Sequence, residues 1–278
     1  MKRKSLFLFL VLLAFLTNSC GFQKVLKSDD AEKKYDYAIK MYNEKDYSRA
    51  LQLFDQLMGV TRATEKSERI YFYYAYSYFY QKDYTLASYY FKRYCTNFPN
   101  SKTAEECAYM GAYCNFLNSP DYTLDQSTTY DAIKDLQLFI NQYPKSTRLS
   151  ECNDLIDKLR EKLESKDFRI AKLYFRMQDY SAAITSMNNI LKEYPDTKRK
   201  EEILFMIFKS YHKFALESIE NKKKERHLKA VNAYNDFVAQ FPESNYIDEA
   251  KGLKEKSQKE IEKYYQKDEK INTRINQK

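Results

Sequence analysis

The stretch Ala-Lys-Leu-Tyr-Phe-Arg-Met-Gln-Asp-Tyr-Ser-Ala-Ala-Ile-Thr-Ser-Met-Asn-Asn-Ile-Leu-Lys-Glu-Tyr-Pro, residues 171–195, decides the fold. Small residues stand at Ala171 and Ala183, a tyrosine at Tyr174, a large apolar residue at Met187 and a proline at Pro195. An alanine suits the point where two helices cross closely, because a larger side chain would hold them apart. Met187, four positions after Ala183, lies one turn along the same face. Pro195 ends the second helix, since proline lacks the N–H and clashes with the preceding turn.

The same spacing recurs along the chain. Phe98-Pro99, Tyr143-Pro144, Tyr194-Pro195 and Phe241-Pro242 are each preceded, twelve positions before the proline, by Ala87, Ala132, Ala183 or Ala230. Eight positions before it stand Phe91, Leu136, Met187 and Tyr234. Ser101, Ser146, Thr197 and Ser244 follow the prolines and are placed to cap the next helix. An earlier copy without proline keeps Ala38, Ala50 and Phe54, with Met41 in the tyrosine position, and the second copy adds Ala75 and Tyr78. Small residue, tyrosine, alanine, large apolar residue and proline at these intervals resemble the tetratricopeptide repeat. The expected fold is all-α, a superhelix of about five helix–turn–helix repeats over 31–246. Longer loops are expected at Asn118–Thr129 and Asn221–Arg226.

Composition agrees. The 278 residues hold only 4 Gly and 5 Pro, too few turn residues for a β-sandwich or barrel of this length. Tyr and Phe number 27 and 18, with no Trp, and 31% of residues are charged. Three positives of the net +8, Lys2, Arg3 and Lys4, open the chain; elsewhere acids and bases alternate, which does not argue for nucleic acid.

Lys2-Arg3-Lys4 precedes an apolar run from Leu6 to Leu16, shorter than the roughly 20 residues of a membrane span, and so reads as a signal peptide over 1–19. The run ends Leu16-Thr17-Asn18-Ser19-Cys20, which resembles the lipobox of bacterial lipoproteins. That resemblance makes Cys20 the acylated N-terminus of the mature chain, with cleavage to a soluble periplasmic protein as the alternative. The expected address is the periplasmic face of the outer membrane. Cys95, Cys107, Cys114 and Cys152 read as small buried side chains, with disulfides as the alternative; Cys107 and Cys114 are about 10 Å apart by helical rise, too far to bridge each other.

The expected organisation is a lipidated arm at 20–30, three repeats over 31–146, and then 147–266 with a long connecting helix, two repeats and a capping helix. The tail 267–278 is expected to fray. The long helix is read from Leu149, Cys152, Ile156, Leu159 and Leu163, a 3-4-3-4 seam without Gly or Pro. Lys222-Lys223-Lys224-Glu225-Arg226 reads as a solvated turn, with a docking patch as the alternative.

No catalytic or metal-binding motif occurs, so the chain reads as a binding protein without cofactor. His212 and His227 stand apart from each other and from any ligand-spaced Cys or acid. The tetratricopeptide resemblance implies a peptide groove lined by the first helix of each repeat. Carried onto this chain, the groove positions are Tyr35, Tyr42 and Asn43, then Phe72, Tyr76, Phe79 and Tyr80, then Asn115 and Phe116. Helix 70–80 is aromatic on every face, so burial in the core is the competing reading for those rings.

Lipobox, five repeats and no further domain, with Asp121–Tyr130, Tyr194-Pro195-Asp196-Thr197 and Phe241-Pro242-Glu243-Ser244, resemble the BamD family over roughly 31–265. That family is the lipoprotein component of the β-barrel assembly machinery. The resemblance implies that the N-terminal repeats hold unfolded outer-membrane β-barrel substrates. It also implies that the C-terminal half, around Ser210–Arg226 and Tyr246–Tyr265, docks the periplasmic domains of the central barrel subunit. A periplasmic tetratricopeptide adaptor coordinating the cell wall is the rival reading. A glycan-binding lipoprotein is a third, which the missing Trp disfavours.

Overall fold

A computed structural model describes the backbone of residues 21–61 and 65–276, with side chains for 21–61 and 66–267. Cys20 and the signal peptide expected over 1–19 lie outside the described residues. A helical turn at 21–26 precedes eleven helices. These are α1 (Ala31–Asn43), α2 (Tyr47–Val60), α3 (Glu65–Tyr80), α4 (Tyr84–Asn97), α5 (Ala104–Asn118), α6 (Ser127–Gln142), α7 (Leu149–Arg176), α8 (Tyr180–Glu193), α9 (Lys200–Leu216), α10 (Glu220–Gln240) and α11 (Ile247–Asn276). The described residues contain no strand. Consecutive helices pack as pairs, and the pairs are tetratricopeptide-type repeats.

The alanines are why the pairs close. Ala38, Ala50, Ala75, Ala87, Ala132, Ala171, Ala183 and Ala230 are all completely buried. Phe54, Phe91, Leu136 and Met187 are equally buried one turn on, while Tyr234 is half-buried and Phe237 fills the core beside it.

Two turns repeat. Within a pair, Lys45, Lys82 and Gln178 adopt φ of 62°, 63° and 66°. The next residue, Asp46, Asp83 or Asp179, caps the second helix by accepting from the N–H of Arg49, Leu86 or Ala182 at 3.0–3.2 Å. The N–H groups of those aspartates reach back to Met41, Tyr78 and Tyr174 carbonyls, closing the preceding helix in a Schellman-like pattern.

Between pairs, the helix ends just before Phe98, Tyr143, Tyr194 or Phe241. The residues two positions after the prolines, Ser101, Ser146, Thr197 and Ser244, do not cap the next helix directly. Their side chains accept from the N–H two residues on, at 3.0–3.1 Å, and so fix the turn that leads into the helix. Ser101 and Thr197 also donate to Glu68 and Glu164 on the first helix of their own repeat, both at 2.6 Å.

One expected loop is absent. Residues 221–226 are the opening turns of α10, and only 217–219 separate α9 from α10. The run lacks Gly and Pro, and its charges pair at helical spacing: Lys223 with Glu220, and Lys222 and Lys229 with Glu225. The other expected loop, 119–126, is present and ordered by Gln126, whose amide donates to the carbonyls of Asp121 and Leu124. Helix α11 continues to Asn276, past the Gln266 expected as its end.

The chain forms two units, one up to Arg160 and one from Glu161. The first has two adjoining cores, one around Phe54, Leu57 and Ile70, the other around Phe91, Leu136 and Phe139. Cys152, Leu155, Ile156 and Leu159 of α7 belong to the latter. The second unit includes a core built on Phe205, Phe208 and Phe237. The four cysteines among the described residues are free; Cys107, Cys114 and Cys152 are buried and Cys95 half-buried. Burial pushes the Cys95 and Cys152 thiols up to about 11 and Cys114 up to about 12, so they act as apolar filling.

Candidate functional site: an aromatic wall in the first unit

Helix α3 carries Tyr71, Phe72, Tyr73, Tyr74, Tyr76, Tyr78, Phe79 and Tyr80, and the structure sorts these rings by side. Tyr71 and Tyr74 are core. Tyr74 meets Tyr90 edge-on at 4.6 Å, Tyr78 stacks on Tyr90 at 5.4 Å, and the Tyr74 hydroxyl donates to Asp55 at 3.2 Å. That side of the helix is structural.

The other rings form a continuous cluster. Tyr80 stacks on Tyr47 at 4.9 Å and lies 6.1 Å from Tyr42 and 5.9 Å from Tyr76. Tyr42 contacts Tyr73 at 4.8 Å; Tyr76 contacts Phe72 at 4.7 Å and Phe79 at 6.2 Å. Phe72, Tyr76 and Phe79 are half-buried, whereas Tyr80 is 47% exposed. Of the sequence-derived groove positions, Tyr42, Phe72, Tyr76, Phe79 and Tyr80 are therefore brought together. Tyr47 and Tyr73 join them; no periodicity marks Tyr47, which arrives through the tight turn after α1.

The remaining positions lie elsewhere. Tyr35 is half-buried under the Lys66 ammonium, 5.2 Å from its ring. Asn43 is exposed at the end of α1. Asn115 donates to Asp135, which also pairs with Lys92 at 2.6 Å, so its amide serves the contact between α5 and α6. Phe116 stacks on Tyr113, which stacks on Tyr109, at 5.9 and 5.7 Å.

Polar bonds fix the wall from behind. The Tyr76 hydroxyl donates to Glu106 at 2.7 Å, and Glu106 accepts from Arg148 at 2.7 Å. Arg148 lies 4.1 Å over the Tyr109 ring, and the Tyr109 hydroxyl donates to Glu151 at 2.7 Å. Burial first, then the neighbouring Tyr80, raises the Tyr42 phenol; burial first, then Glu106, raises Tyr76. Both hydroxyls stay protonated and act as donors. With the Tyr76 proton given to Glu106, the cluster offers ring faces suited to stacking on aromatic side chains. The cluster holds no activated nucleophile, and no group of three or more His, Cys, Asp or Glu among the described residues is placed to hold a metal.

In the second unit, Ser210 and His212 are buried, while Leu216 and Ile219 are exposed at 44% and 69%. Arg226 lies 3.7 Å over Phe214, and Lys224 3.9 Å over Tyr265, bracing α10 against its neighbours. The basic run is thus largely engaged within the fold. No helix among the described residues is long and apolar enough to cross a membrane.

A family described as YfiO, outer membrane lipoprotein, matches residues 27–228. The outer membrane protein assembly factor BamD of Pasteurella multocida (strain Pm70) is 22% identical over 232 residues, covering 80% of this chain and 89% of that protein. BamD of Buchnera aphidicola subsp. Acyrthosiphon pisum (strain APS) is 23% identical over 239 residues, 81% of this chain and 96% of that one. A putative BamD of Aquifex aeolicus (strain VF5) is 26% identical over 251 residues, 89% and 78% respectively.

Proposed function

Because the chain belongs to the YfiO family of outer membrane lipoproteins, we propose that it is the BamD-type lipoprotein of a β-barrel assembly machinery. It works by recognition and not by catalysis. Cys20 carries the acyl anchor. The first unit holds segments of unfolded outer-membrane β-barrel proteins against the aromatic wall, and the second docks the periplasmic domains of the central barrel subunit.

The observation that carries the substrate role is the exposed Tyr80 at the edge of a rigid cluster of rings. Barrel strands alternate apolar and polar residues and carry aromatic residues where they meet the membrane interfaces. A wall of ring faces with Tyr80 exposed at its edge can stack on such aromatic residues. Tyr80→Ala removes an exposed stacking surface with little cost to the core. It is expected to weaken binding of a barrel-strand peptide ending in an aromatic residue by roughly fivefold, the value of one aromatic contact. Calorimetry with the leaderless chain reads this, and an unchanged affinity would remove the wall from the substrate role.

A further inference from the structure

The arm that leads from the anchor is not a free tether. Phe22 and Val25 are each only 4% exposed and belong to the core of the first repeat. The Phe22 ring lies 6.3 Å from Tyr37, with the Arg49 guanidinium 5.5 Å from its centre. The links that follow are fixed as well. The N–H of Lys27 donates to Gln23, that of Ser28 to Val25, and that of Asp30 to the Ser28 hydroxyl. Asp30 then caps α1.

We infer that the turn 21–26 is a clasp holding the first repeat directly against the phospholipid headgroups of the leaflet in which Cys20 is anchored. The inference rests on the lipoprotein reading. A free arm over 20–30 could extend to about 37 Å, whereas the docked arm leaves only about 7 Å between Cys20 and Phe22. The apolar face of the turn is used up inside the protein, so it does not insert among acyl chains as a surface-seeking amphipathic helix does. Its outer side presents Gly21, Gln23, Lys24 and Lys27, all exposed and none with a large apolar group. That surface fits the hydrated headgroup layer. Asp29 and Asp30 offset the two lysines, so proximity comes from the short link and not from net charge.

Neutron reflectometry tests this on the full-length acylated protein in bilayers of phosphatidylethanolamine and phosphatidylglycerol. The native protein is expected to show a protein layer starting at the headgroups with no water gap. A flexible Gly-Ser insertion of about twelve residues between Cys20 and Gly21 should open a gap of about 20 Å. Phe22→Ser with Val25→Ser should also open one. A gap already present in the native protein, or none opening when Phe22 and Val25 are replaced, overturns the clasp. Should the double variant lose helicity, amide exchange in the acylated native protein decides. Residues 21–28 are expected to be protected as well as α1, and exchange at unfolded rates overturns the clasp. Mass spectrometry of the intact protein separates the two readings, because a mature chain without acyl mass defeats the anchor and the clasp with it.

Discussion

Ala183 is completely buried in α8. Ala183→Leu adds methylenes that no neighbour can yield to, and is expected to cost about 1–3 kcal/mol, read as a lower melting temperature of the C-terminal unit. An unshifted transition would contradict tight packing at Ala183. Such alanines were legible because a fixed spacing from proline marks them. The two histidines were not. They look unrelated in sequence, yet Nδ1 of His212 and of His227 both lie against the Ser257 hydroxyl, at 2.8 and 3.2 Å, and all three residues are buried. Only the return of α11 supplies Ser257. Burial, then His227, Lys213 and Lys256, pushes His212 down to about 4 from an ordinary 6.5. Burial, then Lys223, lowers His227 against the opposing pull of Glu260. The folded state thus binds fewer protons than the unfolded one. This contribution to stability is full above about pH 6.5 and is lost as pH falls towards about 4. The urea midpoint is expected to fall between pH 7 and pH 5, and to fall less in His212→Gln with His227→Gln. Equal falls in both proteins would contradict the assignment.

The repeated turns belong to the scale of elements. Lys82 holds a left-handed conformation that glycine adopts without strain. Lys82→Gly is therefore expected to leave stability unchanged or raise it by up to about 1 kcal/mol. Asp83→Ala, which removes the cap on Leu86, is expected to lower it by about 0.5–2 kcal/mol. Thermal melts of the pair separate the two, and a loss on both substitutions would contradict the turn geometry. Helix positions were largely readable because proline and aromatic residues punctuate the pairs. The start of α10 was not, since a dense charged run looks like a solvated loop until its i,i+3 and i,i+4 pairing is counted. The aromatic side of α3 was half readable. Its ring content is plain, but which rings are core depends on α2 and α4, which cover Tyr74 and Tyr78 and leave Tyr80 at the edge.

At the scale of the molecule, each unit has its own hydrophobic cores, and the family match runs across both. The first unit offers the aromatic wall, and the second exposes Leu216 and Ile219 between its last paired helices. The division of labour proposed above gives each unit one partner. Cys20→Ala is expected to move the protein from the membrane fraction to the soluble periplasm, since a stable anchor depends on its acyl chains; unchanged fractionation would contradict the anchor. The central claim, membership in a barrel-assembly machine, is tested most directly by what accompanies the chain. The C-terminally tagged protein, solubilised in detergent from its native membrane, is purified and its companions are identified by mass spectrometry. The expected result is a large β-barrel protein with periplasmic repeat domains at near one-to-one stoichiometry. Cell-wall enzymes in its place, with no such barrel, would contradict the account.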